Sequence, residues 1–195
     1  MLQRKKTIFA AKSFNLKKKN RMGELGEMKP RKLWGYFEEI CKIPRLSKNE
    51  GRIRAYLLEF AKQHNLEAKE DHVGNILIVR EAAPGKEKVM TVVLQSHLDM
   101  VGEKNASHPH NWAEDPILPV IDGRWVTASG TTLGADDGIG IAAQMAVLTD
   151  PYIQCGRIEC LFTVDEESGM TGAINIKPDF FTGRILLNLD SEDEG

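Results

Sequence analysis

The sequence predicts an α/β domain built on a mixed, largely buried central sheet, and three features of it carry that expectation. Val92, Val93 and Leu94 form an apolar run without polar alternation, too short for a helix, which reads as a strand covered on both faces. Apolar stripes at helical spacing flank the run on both sides along the chain. Acidic residues recur at the C-terminal ends of the apolar strands, where open α/β sheets bind their ligands. At 195 residues, 42% hydrophobic and 28% charged, the chain is long enough for one well-buried domain and too short for two large ones.

Charge narrows the range of partners. The formal net charge of −2 hides an asymmetry: residues 1–21 hold eight basic residues and no acidic one, which leaves 18 basic against 28 acidic residues in the remainder. An acidic body has no electrostatic reason to bind nucleic acid, and its carboxylates are suited to cations. No apolar stretch approaches the length of a membrane span, so no membrane partner is expected. Residues 1–29 read as a basic, disordered extension, because the apolar core at 8–11 is too short for a secretory signal. Met1, Met22 and Met28 serve equally as start residues. Cys41, Cys155 and Cys160 are odd in number and lack CxxC spacing, the usage of reduced thiols in a cytoplasmic protein.

The elements follow in order. Pro30 sits where a helix accepts proline first, and Leu33, Trp34, Phe37, Ile40 and Cys41 recur at helical spacing until Pro44. Ser47 to Glu50 has the S-x-x-E form of a capping box, leading into a second helix with Ile53, Tyr56, Leu57, Phe60 and Ala61 on its apolar stripe. Gly74 and Asn75 make a turn before a strand at 76–79, which is expected to lie beside the strand opening at Val89. The polar loop at 104–116 carries His108, His110 and Trp112, and no carboxylate or thiol pattern around the histidines resembles a ligand set, so they read as solvent-exposed. Asp122-Gly123 is a hairpin signal between strands at 118–121 and 125–127. Beyond the glycine-rich turn at 130–140 come a helix at 141–148, a strand at 157–164, a short helix at 171–176 and a third buried strand at 185–189.

The chemistry gathers at the strand ends. His97 and Asp99 follow the first apolar run and, two apart on extended chain, share a face. A lone His-x-Asp is a weak signal, but Asp136 and Asp137 strengthen it. The turn that holds them has the glycines of a phosphate cradle but no lysine, and two carboxylates would repel phosphate, whereas they suit a hard or borderline cation. One of the pair is explained by helix capping; both are not. The strand at 157–164 ends in Glu166 and Glu167, and the strand at 185–189 ends in Asp190. Adjacent residues on extended chain point opposite ways, so the Glu pair can serve two roles. Five such carboxylates in one crevice would raise one another's pKa values, and bound divalent metal is the natural compensation.

These residues, in the stretches DHVGNILI, VVLQSHLDMV, DPILPVIDGRWVTASGTTLGADDGIGIA, FTVDEESGMTGA and LLNLDSEDEG, resemble the dinuclear-zinc exopeptidase family that includes carboxypeptidase G and peptidase T, most closely its aminoacyl-histidine dipeptidase branch. The resemblance runs from Pro30 to Gly195. It implies a three-layer fold with helices on both faces of the sheet, and two Zn2+ ions, for which Mn2+ or Co2+ are possible substitutes. His97 and Asp190 would hold one zinc, Glu167 the other, and Asp136 would bridge them; Asp99 would orient the His97 ring and Glu166 would act as general base. The peptide bond between Asp136 and Asp137 would be cis. The implied reaction is hydrolysis of Xaa-His dipeptides by a metal-activated hydroxide in a cytoplasmic homodimer. A further histidine ligand and a lid domain would lie beyond Gly195, so the 195 residues are expected to be the N-terminal part of the catalytic domain, with one zinc site deficient and little activity of its own. An inactive metal-binding remnant and another amide hydrolase of the same fold, such as a tripeptidase, carboxypeptidase or deacylase, remain open.

Overall fold

The computed structural model describes residues 25–190. Most of the basic extension expected over 1–29, Met1 and Met22 included, lies outside the described residues, as does the stretch after Asp190. Leu25–Glu27 form a single 3-10 turn, and Leu25 is already packed into the core. Helix α1 spans Arg31–Ile40, directly after Pro30, and buries Phe37 and Ile40. Helix α2 spans Gly51–Gln63 and buries Ile53, Leu57, Phe60 and Ala61.

The capping box ahead of α2 is not formed. No side chain caps this helix at Glu50, whose Oε1 instead accepts the N–H groups of Lys48 at 2.9 Å and Asp165 at 3.0 Å. Ser47 turns away from the helix to donate to Asp99 Oδ2 at 2.7 Å. Long-range carboxylate and amide partners have displaced the local capping contacts.

Five strands form one mixed sheet: β1 (Glu67–Glu70), β2 (Ile76–Arg80), β3 (Val92–His97), β6 (Ile158–Thr163) and β7 (Ile185–Asn188), in the order β1-β2-β6-β3-β7. Pairing is antiparallel from β1 to β6 and parallel from β6 through β3 to β7. The expected adjacency of β2 and β3 is therefore corrected. β6, with Glu159 to Thr163 all buried, is the strand best able to be covered on every side, and it takes the centre between them. β1 escapes a reading based on apolar runs because it is a polar edge strand. β3 opens at Val92 instead of Val89, since residues 83–89 turn through hydrogen bonds from Lys86 N to Ala83 O and from Val89 N to Lys86 O.

Alternate residues of the strands feed two cores. Ile76, Ile78, Cys160 and Phe162 pack under α1, α2 and helix α3 (Ala135–Thr149), whereas Leu77, Val79, Val93 and Leu161 pack under Ile176, Phe180 and Phe181. The hairpin of β4 (Pro119–Asp122) and β5 (Trp125–Ala128) forms as expected, with Gly123 in the left-handed region at φ 65°. β7 departs from expectation: all four residues are exposed, because it pairs only with β3 and stands at the sheet edge among the described residues. Two one-turn helices, α4 (Glu166–Gly169) and α5 (Thr171–Ile174), follow β6. Cys41, Cys155 and Cys160 are free thiols. Among the described residues no helix is long and apolar enough to cross a membrane.

Two buried polar side chains hold the sheet ends in register. Asn75 donates to Gly172 O at 2.9 Å and Asp71 Oδ2 at 2.8 Å and accepts Val164 N–H at 3.2 Å, tying the start of β2 to the end of β6. Glu159, fully buried on β6, accepts Thr182 N–H at 2.7 Å, Thr182 Oγ1–H at 2.8 Å and Gly183 N–H at 2.9 Å, and so fixes the approach to β7. Burial pushes its carboxyl pKa up, but these donors, with Arg157, outweigh burial and hold it below the usual glutamate value. A group whose folded pKa is depressed adds stability above its unfolded value and loses it as pH falls through the folded value. Glu159→Gln is accordingly expected to cost about 1–3 kcal/mol in urea unfolding at pH 7. The gap between wild type and variant should close as the pH drops below about 4, and a gap independent of pH would count against this assignment.

Candidate metal centre

The parallel pairing of β3 and β6, with His97 opposite Thr163, brings both carboxyl ends to one edge of the sheet. His97 ends β3 and is 1% exposed. Its Nε2 lies 2.8 Å from Asp136 Oδ1, its backbone N–H donates to Asp137 Oδ2 at 3.2 Å, and its Nδ1 faces Asp99 Oδ1 at 3.4 Å. The last separation is a charge contact longer than a formed hydrogen bond, and Nδ1 has no other partner among the described residues. Burial lowers the pKa of the ring, but Asp99 and Asp136 outweigh it and raise the value to about 9.

Asp99 is fully buried behind the ring. It accepts Ser47 Oγ–H at 2.7 Å and the backbone N–H groups of Glu166 at 3.0 Å and Glu167 at 3.1 Å. Burial would raise its pKa, yet His97 and these donors hold it well below the usual carboxylate range.

The two aspartates of the glycine-rich turn part company. The peptide bond between Asp136 and Asp137 is cis, and both residues have non-helical backbone angles within α3, so the helix proper begins after them. Asp136 is half exposed and faces His97. Asp137 is buried, accepts Gly140 N–H at 3.0 Å and thereby caps the helix that follows, while its other oxygen takes the His97 amide. Burial first, and the charge of Asp190 after it, push Asp137 up to about 7.

Glu166 and Glu167 occupy the first turn of α4, so the expectation that they diverge along extended chain is corrected: they diverge by the rotation of a helix. Asp165, left-handed at φ 51°, starts the turn and accepts hydroxyl bonds from Ser168 and Thr171. Glu167 is exposed, and burial, then Asp136, raise its carboxyl pKa. His97, Asp136 and Glu167 each offer one donor atom within 4.8 Å of the others. Asp190 stands outside this trio, its charge registered at Asp137.

An imidazole nitrogen and two carboxylate oxygens within 4.8 Å of one another are a donor set that fits a divalent cation. His108 and His110 form no comparable group among the described residues. They are not the solvent-exposed histidines expected: their rings stack at 6.2 Å, His110 meets Trp112 edge-on at 4.4 Å, and both are half-buried. Ser47 escaped recognition as a partner of Asp99 because the S-x-x-E pattern offered it a local role. Arg45 sits alone between Pro44 and Leu46, in no periodic pattern.

The fold and the donor trio together are similar to those of metallopeptidases. No protein-family model matches the chain. It is 47% identical over 174 residues to the cytosol non-specific dipeptidase of Escherichia coli K12, covering 89% of this chain and 36% of that protein. The aminoacylhistidine dipeptidase structure from Vibrio alginolyticus superposes with a TM-score of 0.86 at 47% identity, covering 89% of this chain and 35% of that one. The aminopeptidase PepT structure from Bacillus cereus gives 0.70 at 28% identity, over 83% and 43%. Over the part it matches the chain is peptidase D-like in sequence and fold, and it spans about a third of the length of the dipeptidases it is similar to.

Asp99 is the support of the site most open to test. Asp99→Ala strands three donors and the ring, and is expected to lower the unfolding free energy of the metal-free chain by about 3–5 kcal/mol. Ser47→Ala should lower it by about 1 kcal/mol. Denaturant unfolding in excess chelator reads both, and equal losses from the two variants would contradict the geometry.

Proposed function

We propose that the chain is the metal-binding part of a dipeptidase that hydrolyses Xaa-His dipeptides. The observation that carries the reading is the convergence of His97, Asp136 and Glu167 beside Glu166, in a sequence nearly half identical to dipeptidases. In this reading His97 and Asp190 would hold one Zn2+ and Glu167 the other, with Asp136 serving both. When bound, the ions supply Lewis acidity, which makes water nucleophilic at neutral pH and polarises the scissile carbonyl.

This chain's own residues do the rest. Asp99 fixes the His97 ring so that Nε2 faces the cation, the support that metal-binding histidines commonly receive. His97 Nε2 and Asp136 Oδ1 stand 2.8 Å apart, so both atoms would be available to one cation. Glu166, anchored through its amide to Asp99, takes the proton of the attacking water and returns it to the leaving amine. Its neighbour Glu167, turned away by the helical geometry, is left to ligate.

The two residues of a dipeptide would lie in the crevice beyond the ends of β3 and β6. Preference for a C-terminal histidine rests on the likeness to the Vibrio enzyme. The cytoplasm is proposed as the compartment from the Escherichia coli relative's name and the free thiols, and a homodimer as the assembly of the full-length protein. The tripeptidase, carboxypeptidase and deacylase alternatives have less support, since the PepT likeness is at 28% identity.

Metal binding and turnover are tested separately. The chain is expected to bind Zn2+, and saturation at a hundredfold excess over Kd should add about 2.7 kcal/mol to its stability. Glu167→Gln should weaken that binding. In the full-length protein, Glu166→Gln should retain Zn2+ affinity and lose about 100- to 10,000-fold in hydrolysis of an Xaa-His panel. Unchanged turnover in Glu166→Gln would remove it as the base, and absence of Zn2+ binding would overturn the metal reading.

A further inference from the structure

We propose that Arg45 is a positioning residue of the metal centre, its buried guanidinium setting the spacing between the strand end that carries His97 and the turn that carries Asp136. The inference rests on the reading of His97, Asp136 and Glu167 as metal ligands and adds a residue that touches none of the reacting groups.

Arg45 is 3% exposed, an unusual place for a guanidinium. Its hydrogen bonds run to backbone carbonyls. Nη1 donates to Leu98 O at 2.9 Å and to Asp99 O at 2.8 Å, and Nη2 donates to Gly134 O. Leu98 follows His97 in the chain, and Gly134 lies two residues before Asp136. One rigid planar group thus spans the two segments that supply His97 Nε2 and Asp136 Oδ1, 2.8 Å apart. The backbone of Arg45 is tied to the same strand extension, its carbonyl accepting Met100 N–H at 3.2 Å. Because the bonds go to carbonyls, the lone pairs of Asp99, Asp136 and Asp137 stay available to their own partners.

The glycines of the turn make room for this group. A Cβ at Gly134 or at Gly138 would stand 2.7 Å from Arg45 Nη2, and at Gly138 also 3.1 Å from Phe37 Cε2. Gly134 has a second reason to be glycine, its φ of 68°. Gly138 has no such backbone demand, so its missing side chain is explained by the guanidinium and the Phe37 ring. The pattern Gly-Ala-Asp-Asp-Gly is then a pair of carboxylates bracketed by two clearances for one arginine. A lysine could place one charge here but could not reach both segments with a rigid fork.

The test uses the 195-residue chain and two substitutions, Arg45→Lys and Gly138→Ala, the second of which displaces the guanidinium while leaving its charge. Far-UV circular dichroism of the metal-free proteins reports folding. Zn2+ affinity is read by competition with a chromophoric chelator, and ligand geometry by the visible absorption of bound Co2+. Both variants are expected to fold, to bind Zn2+ about 10- to 100-fold more weakly than wild type and to show altered Co2+ bands. Folded variants with wild-type affinity and spectrum would overturn the proposal, as would failure of both to fold, which assigns Arg45 to stability alone. A wild-type chain that binds neither ion would overturn the metal reading and this inference with it, whereas wild-type binding unaffected by the substitutions would overturn this inference only.

Discussion

A fully buried, ionised carboxylate is among the most expensive groups a fold can contain unless its partners replace the water it has lost. Asp99 receives that replacement from three separate segments: the hydroxyl of Ser47 ahead of α2, the amides of Glu166 and Glu167 at the start of α4, and the imidazole of His97 on its own strand. None of these segments could shift without leaving a charge unsatisfied in the interior. The stability of the region and the placement of the candidate ligands are therefore one property. Ser47 illustrates the consequence, since its local capping role was given up for this contact.

The acidic residues around the centre show how environment separates groups of one chemical type. Asp99, with strong donors, is held low, whereas Asp137, buried with backbone amides and the nearby charge of Asp190, is pushed to about 7. Glu167 is raised by partial burial and by Asp136. Burial is the larger cause in both cases, and a neighbouring acid adds to it, Asp190 at Asp137 and Asp136 at Glu167. On the open side of His97 the carboxylates of Asp136 and Glu167 face one another, whereas behind the ring Asp99 is matched by its donors. A cation at the trio would offset the charges of Asp136 and Glu167 directly.

Much of this was legible in the sequence where short-range rules apply. The apolar runs gave β2, β3, β6 and β7, the helical stripes gave α1 and α2, and Asp122-Gly123 gave the hairpin. His97 and Asp99 could be placed together because period two is intrinsic to extended chain. The errors fall where a long-range partner decides. Nothing within residues 76–97 reveals that β6 will insert between β2 and β3, and a four-residue polar strand such as β1 has no apolar signature to read. The exposure of β7 depends on what stands beside it, not on its own composition. Arg45 was invisible because a buried arginine is defined by the carbonyls it reaches, 53 to 89 residues away in the chain.

The two acidic doublets are held by opposite ends of one tripeptide, and this accounts for the arrangement more fully than the motifs do. At residue 97 the backbone N–H donates to Asp137, which forces that aspartate inward and leaves Asp136 facing the ring. At residue 99 the side chain accepts the amides of Glu166 and Glu167, which fixes the first turn of α4 and leaves the two glutamate side chains separated by a helical step. Each doublet thus contributes one group to holding the structure or moving a proton and one to the donor trio. The direction of the hydrogen bonds matters: the tripeptide gives a proton to the aspartate doublet and takes protons from the glutamate doublet, so neither pair of carboxylates must be brought against another acceptor. Replacing Asp137 by a residue without a carboxylate would remove the acceptor of the His97 and Gly140 amides and with it the support that leaves Asp136 facing the ring. The amides of Glu166 and Glu167, by contrast, hold Asp99 whatever their side chains, which leaves both glutamate carboxylates free for chemistry.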